Sequence, residues 1–494
     1  MSAHSPNHAR RWAILAVLGV AQLMVVLDAT IVTIALPSAQ RALHFTNSDR
    51  QWIVTAYALA FGSLLLLGGR LSDLFGRKWT FIAGLSGFAI ASAVGGAAQS
   101  FGMLAAARAF QGAFGALLAP SALSLLTTTF TEPSERAKAF GIFSAIAGSG
   151  ASIGLLLGGI LTQSLNWRYC MYVNLAFAFV AVAGALTLVH NSRPQTRPRV
   201  DIPGTLAVSC GLFALVFGFS HAQTTSWSSH LTIGMLVTGA LLLAVFVTLE
   251  AKTKSPLLPL RVLADRNRGA SFLSIAISGA AIYGVLLFLT YYLQDVRGFS
   301  PIATGLGFLP MSAAIMSAAI LGQTKLQARF GQRPLVVTGM TLGSVGMLYL
   351  TEIGVSSSYA GDILPALVVT GVGLGLVIST SISNATLGVE STDAGVASAT
   401  VSASQQIGAS LGTSLLSTIA ASAVTHYLAG GHHVPGLIAH ATVHGYDVGL
   451  SWAAAIFAVG AIVSATLFRG RVRSAEPSAD SDARIRYARP DDDA

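Results

Sequence analysis

The sequence predicts an all-α membrane protein: fourteen transmembrane helices in two six-helix bundles, with two further helices inserted between the bundles and both termini in the cytoplasm. Three features predict it. Hydrophobic residues make up 53% of the 494 positions and charged residues 10%, where a soluble domain carries about 25% charged. Apolar runs of the ~20 residues needed to cross a bilayer recur along the whole chain. Lysine and arginine crowd into every second link between those runs, as the positive-inside rule requires.

The first six runs fall at 12–36, 51–69, 79–99, 101–127, 138–163 and 168–189. The first, from Trp12 to Leu36, is too long for a signal-peptide core and has no small-residue cleavage site, so it reads as a retained helix. Runs at 202–221 and 231–250 follow, and then six more at 270–293, 302–323, 334–352, 363–383, 396–424 and 448–468. The implied division is a cytoplasmic tail at 1–11, an N-terminal bundle at 12–190, the inserted pair with its linkers at 191–268, a C-terminal bundle at 269–470 and a disordered cytoplasmic tail at 471–494.

Two bundles are predicted because the chain repeats. GGRLSDLFGRKWTFIAG after the second run and GQTKLQARFGQRPLVVTG after the tenth align Leu71 with Leu326, Phe75 with Phe330, Gly76 with Gly331 and Gly84 with Gly339, with basic residues at Lys78 and Arg333. Equivalent links of a parallel six-helix repeat lie on one side of the membrane. With the N-terminus inside, 24 of the 29 Lys and Arg fall in inside segments; Arg41, Arg50, Arg168 and Arg297 lie outside and Arg108 within a helix. The formal charge of +9 is therefore a topology signal and no nucleic-acid signal.

Several function classes find no support. The chain has no GxxxxGK[ST] loop for ATP and no HExxH pair or GxSxG elbow for an enzyme. GVGLG at 371–375 lies within an apolar helix and reads as packing. Cys170 and Cys210 have no metal or redox spacing, and the histidines of HYLAGGHHVPGLIAHATVHGYD match no metal site.

Chemistry concentrates at LDATIVTIALP, where Asp28 interrupts the first apolar run. A carboxylate in hydrocarbon costs several kcal/mol, so it is paired, lines water or is functional. With the first helix running outward to Leu36, Asp28 lies about 12 Å below the outer face, and Arg108, five to seven residues into the fourth helix, lies roughly 8–11 Å below it. The two can meet. Opposite charge favours ionisation and desolvation opposes it, so a change in Arg108's proximity switches the acid's protonation. The bland alternative is a permanent buried ion pair. The C-terminal half shows no mid-helix carboxylate, since Asp295, Glu352 and Asp362 lie near outer helix ends.

GRLSDLFGRK, with Gly69, Leu71, Asp73, Gly76, Arg77 and Lys78, resembles the signature loop of the major facilitator superfamily, and LDATIVTIALP is similar to the first-helix signature of its fourteen-helix drug:proton antiporter family. RAFQG, with Arg108, Gln111 and Gly112, resembles the fourth-helix motif linked to proton transfer, NWRYCMYVN the family's entry to the sixth helix, and YYLQDVRGFSPIATGLGFLP the start of its second half. The resemblance implies a transporter that exchanges protons for a lipophilic, drug-like compound by alternating access, functional as a monomer in the cell membrane. No cofactor is implied beyond the proton gradient. It further implies that Asp28 and Arg108 couple protons, and that Gly69, Asp73, Gly76, Arg77 and Lys78 form a loop that closes the cytoplasmic side in one conformation and opens it in the other.

Two positions depart from the family. Thr33 stands where Asn is usual, and in the fifth helix Leu155 replaces a proline, which predicts the loss of a kink and keeps a proton-coupled importer open as an alternative. Gly150, Gly154, Gly158 and Gly159 remain there for close helix packing. Thr30, Tyr57, Gln111, Tyr291, Tyr292, Asn384, Gln405 and Gln406 are candidates to line a substrate cavity between the halves.

Overall fold

A computed structural model describes residues 8–45, 47–190, 201–253, 256–390, 393–430 and 436–469. Both polar tails beyond these bounds and part of the histidine-rich stretch, including His432 and His433, lie outside the described residues. Every regular element among the described residues is helical. The first six helices are α1 (His8–Leu43), α2 (Asn47–Phe75), α3 (Arg77–Gly96), α4 (Phe101–Thr129), α5 (Pro133–Ser164) and α6 (Tyr169–Leu188). The inserted pair is α7 (Ile202–Thr224) and α8 (His230–Lys252), followed by the short α9 (Leu260–Ala264). The second set is α10 (Arg266–Tyr291), α11 (Pro301–Leu321), the short α12 (Gln327–Phe330), α13 (Gln332–Leu350), α14 (Leu364–Ala385), α15 (Ala394–Ala429) and α16 (Leu437–Leu467).

Local chemistry sets several of these starts. Ser100, Asp201, Asp265 and Ser300 each accept a backbone N–H three residues on, at 2.9–3.3 Å, and so cap α4, α7, α10 and α11. Gly76, between α2 and α3, and Gly331, between α12 and α13, have φ of 91° and 82°. Both turns need a left-handed residue, and the two glycines are the pair aligned by the internal repeat.

Among the described residues, twelve helices are long and apolar enough to cross a membrane, or thirteen when α5 counts as one bent span. The predicted count of fourteen is not reached by this measure. The run at 334–352 forms the helix α13, nineteen residues long, which is not among the twelve. Large apolar side chains such as Phe179, 77% exposed, and Ile462, 66% exposed, face outward from the bundle, where hydrocarbon and not water suits them.

The two bundles meet along α5–α11 and α2–α15, which pairs the second helix of each half with the fifth of the other. Both pairs are antiparallel: α5 meets α11 from Gly141 beside Ile320 to Gly159 beside Ile302, and α2 meets α15 from Gly62 beside Gln406 to Gly69 beside Ala399. α7 packs on both α2 and α15, with Thr55 Oγ1 3.0 Å from Ser220 Oγ, while α8 rests mainly on α7.

In α5, Gly150, Gly154 and Gly158 seat Val26, Thr30 and Ile31 of α1, and Gly159 faces Ile302 of α11 instead. Lipid tails are as apolar as these side chains, so close backbone approach through small residues holds such helices together. The expected loss of a kink is not observed. The stretches Pro133–Gly148 and Ile153–Ser164 are inclined by 42° with no proline between them, and the break falls in the sequence SGAS.

Candidate functional site

Asp28 faces the interior of the N-terminal bundle, fully buried among α1, α3, α4 and α6. Its Oδ2 lies 2.5 Å from Arg108 Nη1 on α4. Its Oδ1 accepts from Gln111 Nε2 at 2.6 Å and from Asn174 Nδ2, on α6, at 2.8 Å. Arg108 is 1% exposed, donates from the same Nη1 to Gln111 Oε1 at 2.6 Å, and lies over the Tyr57 ring with its guanidinium carbon 4.4 Å from the centroid. Tyr57 in turn stacks on Phe61, and α2 approaches so closely that a Cβ on Gly112 would run into the Tyr57 carbonyl oxygen.

The helical register explains the convergence. Arg108 and Gln111 are three residues apart and share a face of α4, so one helix presents a cation and an amide to a single carboxylate. A bare buried charge would be driven to neutrality. Here one formal cation and two amide donors compensate the charge of the acid.

A second constellation lies where α2 ends, on the basic face of the bundle. Asp73 Oδ1 accepts the N–H of Gly395, in the first turn of α15, at 3.1 Å, so a carboxylate of one half meets the positive end of a helix of the other. Arg77 lies 3.6 Å from Asp73 as its i+4 partner. A methyl group on Gly69 would come within 2.6 Å of both Gly395 O and Ala399 Cβ, so the glycine is what lets the halves touch. One more contact crosses at this level, from Arg136 Nη2 to Thr386 Oγ1 at 2.9 Å, while Arg261, just after the inserted pair, reaches Asp393 of the C-terminal half at 2.7 Å. The two halves touch at this face. Lys78 Nζ donates to Leu186 O at 2.9 Å within its own half, and Gly76 supplies the turn between α2 and α3.

The profile of the Major Facilitator Superfamily matches residues 18–413. The chain belongs to the Major Facilitator Superfamily and is a multi-pass membrane transporter. It is 42% identical to the puromycin resistance protein pur8 of Streptomyces alboniger, over 97% of this chain and 95% of that one. It is 36% identical to the cephamycin export protein CmcT of Amycolatopsis lactamdurans, over 81% and 83% of the two chains, and 33% identical to the tetracenomycin C resistance and export protein of Streptomyces glaucescens, over 85% and 79%. The structure of the human organic anion transporter MFSD10 superimposes with a TM-score of 0.62 at 16% identity, covering 92% of this chain and 99% of that one, which shows a shared fold.

The cavity candidates scatter. Gln111 and Tyr57 belong to the Asp28 cluster, and Thr30 packs on Gly154 with its hydroxyl turned to Val26 O and Leu27 O. Tyr292 is fully buried and donates to Gly354 O at 2.7 Å, which ties down the end of α10, whereas its neighbour Tyr291 is exposed. Asn384 is buried near the basic end of α14. Gln405 and Gln406 are half-buried on α15, and Gln406 faces Gly62 across the seam between the halves.

Asn174 and Ser92 in the Asp28 cluster, and Gly395, Arg136 and Thr386 where the halves touch, are additions from the structure. Asn174 had a signal, since it ends NWRYCMYVN; the others sit in ordinary small or polar stretches. Asp447, which the sequence places just before the last run, is inside α16 and half-buried, because that helix begins at Leu437.

Proposed function

We propose that this chain exports lipophilic, drug-like or antibiotic compounds from a bacterial cell in exchange for protons, by alternating access between the two bundles. Fourteen helices span the membrane in this reading, both termini and the basic face are cytoplasmic, and the described conformation is the one closed to the cytoplasm. The single observation that carries proton coupling is the isolated buried carboxylate of Asp28, held 2.5 Å from Arg108 between two amides. Relatives named for puromycin resistance and for cephamycin and tetracenomycin C export support the direction and the substrate class.

Asp28 is sealed within the N-terminal bundle and lies off the seam between the halves, so proton and substrate compete through conformation and not by touching one another. Protonation weakens the Asp28–Arg108 attraction, frees the guanidinium to move, and thereby changes how α1 and α4 pack. The energy source is the proton gradient.

Inverted vesicles loaded with the transporter test this. An imposed gradient, acid inside, drives accumulation of puromycin, and the accumulation collapses when a protonophore dissipates the gradient. Accumulation that persists without the gradient, or movement in the opposite direction, overturns the reading. Orientation has its own test at two exposed serines, Ser134 at the start of α5 and Ser228 between α7 and α8. In intact cells Ser228→Cys reacts with an impermeant thiol reagent and Ser134→Cys does not.

A further inference from the structure

Arg108 serves only one oxygen of Asp28; the other is served by amides, whose orientation here is set by their other partners. Gln111 Oε1 accepts from Arg108 Nη1 at 2.6 Å, so Gln111 Nε2 necessarily points at the acid. Asn174 Nδ2 reaches both Asp28 Oδ1, at 2.8 Å, and Ser92 Oγ, at 2.9 Å. The Ser92 hydroxyl donates to Met171 O at 2.8 Å and has one proton only, so it meets both amides as an acceptor. Met171 is three residues before Asn174, on the same helix. A closed chain therefore runs from the α6 backbone through Ser92 on α3 to Asn174 and Asp28, and every link has its donor and acceptor assigned.

We infer that Asn174 and Ser92 are positioning residues that set the proton affinity of Asp28. In the ionised state Asn174 donates to the carboxylate. Its own Oδ1, buried and without a protein partner, is the acceptor that a protonated Asp28 requires once the amide turns over. One side chain thus serves both protonation states, and Ser92 biases the amide toward the donor orientation. The charged group against Asp28 is Arg108 from α4, and Tyr57 from α2 is the other titratable group, lying across the guanidinium. α5 faces α1 through Gly150, Gly154 and Gly158, and α3 and α6 present the neutral Ser92 and Asn174.

The inference rests on Asp28 being the coupling acid, and the test separates the two. Purified protein is titrated with puromycin across a pH series, and the protons released on binding are recorded. Asn174→Leu removes a donor from the ionised carboxylate, so the midpoint of release moves to higher pH, by roughly one unit for a hydrogen bond to a charged group. Ser92→Ala moves it the same way by less, and Ser92→Thr, which keeps the hydroxyl, restores the parent midpoint. If Asn174→Leu does not fold, Ser92→Ala and Ser92→Thr carry the comparison alone. An unchanged midpoint in folded Asn174→Leu or Ser92→Ala, with Asp28→Asn silent, overturns the positioning role and leaves the coupling role standing. Normal proton release from Asp28→Asn overturns the coupling role beneath it.

Discussion

Asp28→Asn abolishes uphill export, and substrate accumulation in energised vesicles falls to passive leak. The substitution keeps the size of the side chain and removes the carboxylate that, among the described residues, pairs with Arg108. It also strands a buried cation, which costs on the order of 3–5 kcal/mol when nothing replaces the counter-charge. Gln111 Oε1 and the Tyr57 face still stabilise the guanidinium, so the protein folds with a lowered melting temperature. Loss of transport alone does not distinguish coupling from structure, and the double variant Asp28→Asn/Arg108→Gln does. Removing both charges relieves the stranded cation and restores thermal stability, yet transport stays absent because no group remains to take the proton. Should the double variant recover both stability and uphill transport, Asp28 is a structural partner of Arg108 and coupling lies elsewhere.

Gly69→Val holds the basic face open. The α2–α15 seam is tight enough there that even a methyl group lies 2.6 Å from a backbone carbonyl and from Ala399 Cβ, and neither can rotate away. Overpacking of this kind costs roughly 1–3 kcal/mol, which shifts the equilibrium between closed and open states about 5- to 150-fold. Cysteine at Ser402, half-buried one turn above Ala399 on α15, then reacts faster with a soluble thiol reagent from the cytoplasmic side, while turnover falls and puromycin binding from that side survives. Asp73→Asn acts in the same direction by less, because it removes one charge–dipole contact and leaves the packing intact. A Gly69→Val protein that closes and turns over normally shows that the seam is not the moving element.

Much of this was legible before any coordinates. A buried charge in hydrocarbon is too costly to be incidental, so Asp28 and Arg108 identified themselves, and helical rise alone placed them at similar depth. The glycine turns at Gly76 and Gly331 were legible because positive φ leaves a residue-type signature. Ser92 and Gly395 were not. A serine or glycine in a helix rich in both carries no information about which neighbour it faces, since that depends on the rotation of one helix against another. The bend in α5 is not legible in the sequence, because proline is the conspicuous signature of a kink and none stands there.

The sequence by itself determined the membrane class, the helical content, the repeat and the residues whose charge is expensive, because each follows from the cost of placing polar groups in lipid or from a period counted along one chain. Tertiary structure alone decided that Asp28 faces the interior of one bundle and not the seam, that Asn174 joins Gln111 on its second oxygen, and that Asp73 meets a helix start 322 residues away. Those facts rest on how helices rotate and approach when small residues let their backbones touch, and that geometry is settled by all the helices packing together.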